Sequence, residues 1–204
     1  MARAPHARLF VAVDPPAPVR EELAAWARGA GGALTRDRGS GAAPPLRLLD
    51  VQGMHVTLCF LGNRPVAEID VIAAALKNCA TPAGEVCLGG PLWLPPRRPR
   101  ALAVEVRDRD GQLARLHGAL RDALGEAIGW EAERRRFRAH VTVARVPGGR
   151  RVRGRHSGPG AQPLPATPQL SFMAETTVLY RSWLSRAGAT YEPLLECPLL
   201  ARAG

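Results

Sequence analysis

Apolar and polar positions alternate along the chain in blocks that predict short strands separated by helices. Strands are predicted at residues 9–13, 86–92, 101–106, 169–180 and 191–196. Helices are predicted at residues 19–28, 67–79 and 112–128, where apolar side chains recur at helical spacing. The order of these elements predicts an α+β fold whose sheets are mainly antiparallel.

The series strand, helix, strand occurs twice, which indicates an internal repeat. In each half a short strand and an amphipathic helix precede a strand that opens with a histidine, His55 in the first half and His140 in the second. Two such units related by a pseudo-two-fold axis would bring both histidines into one cleft. We therefore expect a single bilobal domain over residues 1–204, with pseudo-symmetric lobes and with the helices outside.

Two segments break this regularity. Residues 29–45 and 147–168 are rich in glycine and arginine and carry no periodic pattern, so we expect mobile loops at both places. For the second segment two interpretations stay open, namely a cover over a site and irregular chain without a function.

The composition indicates a folded protein outside membranes. An apolar share of 46% over 204 residues supports a buried core, and no apolar run approaches the roughly 20 residues that span a bilayer. The N-terminus lacks the apolar segment of a secretory signal, so we expect a cytoplasmic protein that does not enter membranes. The four cysteines lack metal-binding spacing and are expected to be reduced, and neither a metal nor another cofactor is expected.

The net charge of +10 points to an anionic partner. Arginines cluster at residues 97–100, 134–138 and 150–155, and guanidinium groups suit phosphate oxygens. A solvated basic surface is the alternative interpretation of each cluster. No heptad pattern or long exposed apolar stripe predicts an oligomer, so we expect a monomer without an obligate protein partner.

The candidate chemistry lies in a tetrapeptide pattern that the chain contains twice, His55-Val56-Thr57-Leu58 and His140-Val141-Thr142-Val143. Alternation along a strand places the histidine and the threonine of each copy on one face. Two histidines can divide proton transfer between a general base and a general acid, as in-line displacement at phosphorus requires. The threonine hydroxyls can donate hydrogen bonds to the phosphate oxygens, and this scheme needs no metal.

The segments around both motifs resemble those of the two-histidine phosphoesterase superfamily, specifically its LigT-like RNA 2′,3′-cyclic phosphodiesterases, also called 2′-5′ RNA ligases. The similar segments are residues 8–14 (RLFVAVD), 54–62 (MHVTLCFLG), 137–145 (FRAHVTVAR), 179–182 and 191–194. Taken together in this order, the similar segments extend over nearly the whole chain. One departure is Ala139, which stands where proline is frequent in the family.

The resemblance implies a bilobal fold and hydrolysis of a terminal RNA 2′,3′-cyclic phosphate to a 2′-phosphate. It implies that His55 is the acid that protonates O3′ and that His140 is the base that activates water. Thr57 and Thr142 would bind the phosphate oxygens. The reverse reaction with a 5′-hydroxyl would join RNA ends through a 2′-5′ linkage without ATP.

Phe60 and Arg145 each lie five residues after their motif histidine, and the resemblance implies that they bind the terminal nucleotide. Both side chains are flat and can stack on a base. Strict alternation would place them on the face opposite the histidines, so we expect a bulge or a strand end to redirect them. The alternative places Phe60 in the core and Arg145 on the surface.

Two other functions remain open. A related two-histidine enzyme could act on a small cyclic nucleotide, such as ADP-ribose 1″,2″-cyclic phosphate, or on a 2′-5′ oligoadenylate. A protein of a different class would bind RNA through its arginines without turnover.

Overall fold

The computed structural model of the protein describes residues 4–36, 46–79, 82, 84–96, 99–133, 135–146, 164–185 and 188–200. The strands are β1 His6–Val13, β2 Arg47–Leu48, β3 Val56–Pro65, β4 Gly84–Leu94, β5 Ala101–Arg107, β6 His140–Arg145, β7 Ser171–Ala174, β8 Thr176–Ser185 and β9 Gly188–Pro198. The helices are α1 Ala17–Arg36, α2 Ile69–Asn78 and α3 Gln112–Ile128. The expected α+β class is confirmed.

The strands form one continuous sheet in the order β7-β4-β5-β6-β3-β1-β8-β9, and β2 pairs with β6 beside β3. All strand pairs in this sheet are antiparallel. The order is symmetric about the β6/β3 junction, because β5 flanks β6 as β1 flanks β3. The two repeats found in the sequence are thus the two halves of this sheet.

The two faces of the sheet have different surroundings. On one face, here called the helix face, strand residues and the three helices form a single buried core. Its helical members include Leu23, Ala27, Ile72, Leu76, Leu116 and Leu120. Each fully buried leucine contributes roughly 1.5–3 kcal/mol. The opposite face carries both motif histidines and is called the histidine face below.

The boundaries of α3 agree with the periodic pattern of residues 112–128. Gly129 ends the helix in the left-handed conformation, with φ of 58°, and its backbone N–H donates to carbonyl groups of the last turn. Glycine adopts this conformation without the strain that a Cβ would cause.

The structure corrects the expected loop at residues 29–45, because α1 continues to Arg36. Ala27 and Ala30 are fully buried against the sheet, and this packing outweighs the low helix propensity of the neighbouring glycines. The rest of that segment, residues 37–45, lies outside the described residues.

Two further elements differ from expectation. The strand predicted at residues 169–180 is divided at Glu175 into β7, which pairs with β4, and β8, which pairs with β1. Of the loop predicted at residues 147–168, only residues 164–168 are described. They are anchored at Thr167, which is buried and whose hydroxyl donates to the carbonyl of Gly89 at 2.5 Å.

Candidate active site

The two His-x-Thr motifs meet at the junction of the two halves of the sheet. Val56 of β3 and Val141 of β6 are direct antiparallel partners, and both are fully buried on the helix face. Their motif neighbours therefore point to the histidine face from both strands. The pairing brings the two motifs together, as the repeat predicted.

A bulge occurs at the same position of each motif. In β3, Thr57 and Cys59 pair with consecutive residues of β1, so Leu58 is the additional residue. In β6, Thr142 and Ala144 pair with consecutive residues of β5, so Val143 is the additional residue. Each bulge shifts the alternation of its strand by one position.

These bulges turn Phe60 and Arg145 onto the histidine face. Phe60 pairs with Phe10 of β1, whose ring packs against His55, and Arg145 pairs with Ala101, which lies two positions from the partner of Thr142. Both side chains are exposed. The expectation that a bulge redirects them is confirmed, and Phe60 does not lie in the core.

Three aromatic rings surround the His55 imidazole. Phe10 stacks on it with ring centroids 4.7 Å apart, and Tyr180 lies further along the same stack at 5.9 Å. Tyr191 meets the imidazole edge-on at 5.0 Å. A short 3-10 turn at Val51–Gly53, capped by the Asp50 carboxylate, holds the chain just before the histidine.

This environment keeps His55 uncharged in the free protein. Burial, followed by the positive charges of Arg145 and His140, lowers the pKa of His55 from 6.5 to about 4. The imidazole is therefore neutral at physiological pH.

His140 is held by its own strand and by β5. Its Nδ1 lies 2.8 Å from the carbonyl oxygen of Arg138, and because a carbonyl only accepts, Nδ1 carries the proton. In the neutral imidazole the lone pair is then on Nε2. Glu105, the β5 partner of His140, forms an ion pair with the Arg138 guanidinium at 3.2 Å.

Thr57 and Thr142 both lie half-buried on the histidine face. Within the described part of the chain, neither hydroxyl is engaged in a hydrogen bond. Each can therefore donate to a bound anion.

The sequence did not predict the roles of Phe10, Tyr180 and Tyr191 around His55. The Tyr180 hydroxyl donates to the Asp14 carboxylate at 2.5 Å, and this bond opposes the larger effect of burial, which raises the pKa of Asp14. The available signal was strand alternation, since Phe10 lies four positions before Asp14, the residue that follows β1.

Cys59 lies next to the site in sequence but is buried on the helix face, because the bulge at Leu58 turns it away from His55. Burial raises the pKa of its thiol to about 12. Among the described residues no three His, Cys, Asp or Glu side chains are grouped closely enough to hold a metal ion. No helix in this part of the chain is long and apolar enough to cross a membrane.

The model of the 2′-5′ RNA ligase superfamily matches residues 15–153, which include both motifs. The chain belongs to this superfamily. It is similar to an RNA 2′,3′-cyclic phosphodiesterase from Aeropyrum pernix, with 28% identity over 177 residues that cover 80% of this chain and 92% of the relative.

Solved structures of other proteins share the fold of this superfamily member. TT0787 of Thermus thermophilus is 25% identical, with a TM-score of 0.70 over 96% of this chain and 100% of its own. Escherichia coli LigT, crystallised with 3′-AMP, is 22% identical, with a TM-score of 0.71 over 96% of this chain and 99% of its own. These similarities agree with the α+β architecture of the chain.

Proposed function

We propose that the protein is an RNA 2′,3′-cyclic phosphodiesterase that converts a terminal 2′,3′-cyclic phosphate into a 2′-phosphate. The observation that carries the proposal is the juxtaposition of two His-x-Thr motifs on one face of the sheet, joined through Val56 and Val141. The similarity to the Aeropyrum pernix phosphodiesterase supports the same substrate class.

In this reaction His140 is the general base. Because its Nδ1 donates to the Arg138 carbonyl, the lone pair of neutral His140 on Nε2 can accept a proton from water. The resulting hydroxide attacks phosphorus, and the bond between phosphorus and O3′ breaks. Thr57 and Thr142 donate hydrogen bonds to the non-bridging oxygens, whose negative charge increases during the attack.

His55 is the general acid that gives its proton to O3′. Since its pKa is about 4 in the free protein, it must first take up a proton together with the substrate. The cyclic phosphodiester carries one negative charge, which offsets the nearby charge of Arg145 and favours the imidazolium of His55. Substrate binding at neutral pH is therefore coupled to the uptake of one proton.

The same site is suited to a ligation reaction. A 5′-hydroxyl in place of water would attack the cyclic phosphate and form a 2′-5′ linkage without ATP. The high concentration of water favours hydrolysis, so ligation requires an RNA that holds both ends close together.

Phe60 and Arg145 bind the terminal nucleotide in this proposal. The exposed ring of Phe60 offers a stacking surface for the base, and the exposed Arg145 guanidinium supplies a positive charge on the same face for the phosphate. Both lie on the histidine face beside the threonines.

The test is a turnover assay with a short RNA that ends in a 2′,3′-cyclic phosphate, run in EDTA. We expect the parent protein to form a 2′-phosphate. His55→Ala and His140→Ala should each react roughly 10²–10⁴-fold more slowly, because each variant lacks one proton-transfer group. His6→Ala replaces an exposed histidine outside the site and serves as the matched control. Equal rates in the parent and both motif variants would reject the proposal.

The same assay separates the other candidate functions. Turnover of small cyclic nucleotides or 2′-5′ oligoadenylates without turnover of RNA would change the substrate class and keep the mechanism. RNA binding that survives replacement of both histidines, with no turnover by the parent, would identify an RNA-binding protein instead.

A further inference from the structure

A guanidinium group lies beside the proposed nucleotide-binding ring. Arg8 of β1 points to the histidine face, because it alternates with Phe10 and Ala12, both of which pack on that face. Its guanidinium carbon lies 4.5 Å from the centroid of the Phe60 ring. The two side chains form one stacked unit of a cation and an aromatic ring.

Among the described residues, no acidic side chain balances the charge of Arg8. The side chain is half-buried, yet it forms no ion pair with any Asp or Glu of the described residues. Other arginines of the chain, such as Arg64 and Arg138, are paired with glutamates. A half-buried cation without a counter-ion, set on the face that would carry the substrate, is suited to an anion that arrives with the ligand.

The position of Arg8 separates it from the place proposed for the cyclic phosphate. Ala12 is the partner of Thr57, and Phe10 is the partner of Phe60. Arg8 lies two residues beyond Phe10, which is roughly 7 Å further from the threonines along the strand. An anion bound by Arg8 is therefore a second one, and in an RNA end the next anionic group after the cyclic phosphate is the phosphodiester on the 5′ side of the terminal nucleotide.

We propose that Arg8 binds the phosphodiester on the 5′ side of the terminal nucleotide and thereby makes the site selective for an RNA end over a free cyclic mononucleotide. This inference rests on the proposed phosphodiesterase function and adds a second phosphate subsite to it. Phe60 holds the Arg8 guanidinium flat, so the cation is oriented before the substrate binds.

The experiment compares kcat/KM for 2′,3′-cyclic AMP with kcat/KM for a tetra-adenylate that ends in a 2′,3′-cyclic phosphate. In Arg8→Gln the ratio of the tetranucleotide value to the mononucleotide value falls about tenfold, the effect of losing one charge-assisted contact. Arg8→Lys keeps the charge but loses the planar fork, so its ratio falls less. The slope of the logarithm of the tetranucleotide binding constant against the logarithm of salt concentration becomes shallower in Arg8→Gln by the amount expected for about one phosphate contact.

Arg181→Gln is the matched control. The Arg181 guanidinium also stacks on an aromatic ring, 3.9 Å from the centroid of Trp183, but Arg181 pairs with Leu9 and so lies on the opposite face of the sheet. We expect the ratio of its tetranucleotide kcat/KM to its mononucleotide kcat/KM to equal that of the parent. An equal loss for both substrates in Arg8→Gln, or the same change of ratio in Arg181→Gln, would overturn the inference.

A binding measurement keeps this inference distinct from the proposed turnover. If the parent hydrolyses neither substrate, the phosphodiesterase proposal fails, and fluorescence anisotropy with a labelled tetra-adenylate 2′-phosphate then decides the role of Arg8. Several-fold weaker binding by Arg8→Gln than by Arg181→Gln supports the phosphate subsite. Equal binding by the two variants rejects it.

Discussion

The lowered pKa of His55 makes folding stability depend on pH, and this dependence can be isolated with one substitution. An unfolded chain binds a proton at its histidines near pH 6.5, whereas folded His55 binds one only near pH 4. Between these values the unfolded state holds more protons, so the stability rises with pH and is lost as the pH falls.

The magnitude follows from the two pKa values. Lowering the pH from 7 to 5 costs roughly 2 kcal/mol of unfolding free energy through His55, and the cost approaches about 3 kcal/mol near pH 4. His117, whose pKa is lowered by burial, contributes in the same direction. Asp14, whose pKa is raised by burial, contributes in the opposite direction, so the parent protein alone does not isolate His55.

The perturbation is therefore His55→Gln, which removes the titrating group. Urea unfolding at pH 7 and pH 5, followed by tryptophan fluorescence, gives the loss of stability in each protein. We expect the parent to lose roughly 2 kcal/mol more than His55→Gln between these pH values. His6→Gln, which replaces an exposed imidazole, controls for the removal of a histidine as such.

Two results would refute this reasoning. The first is an equal pH dependence of the unfolding free energy in the parent and in His55→Gln. The second is a titration of the His55 ring by NMR with its midpoint near the ordinary value of 6.5, which would show that the aromatic surroundings do not exclude water from the imidazole.

Other substitutions test separate parts of the site. Thr57→Ala and Thr142→Ala should each lower kcat/KM about 10- to 100-fold by removing a hydrogen bond to the phosphate, and steady-state kinetics that match the parent would contradict this role. Tyr180→Phe should cost about 1–3 kcal/mol in urea unfolding, because the Asp14 carboxylate loses the hydroxyl that donates to it. Gly89→Ala should lower the melting temperature and activity together, since its Cβ would come within 2.7 Å of a carboxylate oxygen on β5, and an unchanged melting temperature would show that this contact relaxes freely.

Much of the architecture follows from the periodic pattern of the chain, and its failures have specific causes. The strict helical spacing of apolar residues predicted α3 with its observed ends, Gln112 and Ile128. The end of α1 was not predicted, because local propensity disfavours glycine while the burial of Ala30 depends on the distant sheet. The division between β7 and β8 was missed for a similar reason, since both segments are apolar and only their partners, β4 and β1, differ.

The sequence predicted that the four motif residues lie together, but it did not predict the aromatic rings that surround His55. The repeated His-x-Thr pattern identified the four residues that the structure brings to one face. The rings around His55 come from β1, β8 and β9, whose proximity depends on strand order. Strand order is a long-range property, so a single sequence does not determine which aromatic side chains surround a given histidine.

The two bulges show that a departure from alternation carries structural information. After each motif threonine two consecutive core residues follow, Leu58 with Cys59 and Val143 with Ala144. Without a bulge Arg145 would point into the helix-face core, where an unpaired charge costs several kcal/mol. The chain avoids this cost by inserting one additional residue, and the same shift turns Phe60 toward the histidines. A strand in which two apolar residues interrupt the alternation before a charged residue therefore predicts a bulge. In this protein the two bulges carry the proposed nucleotide-binding residues to the histidine face.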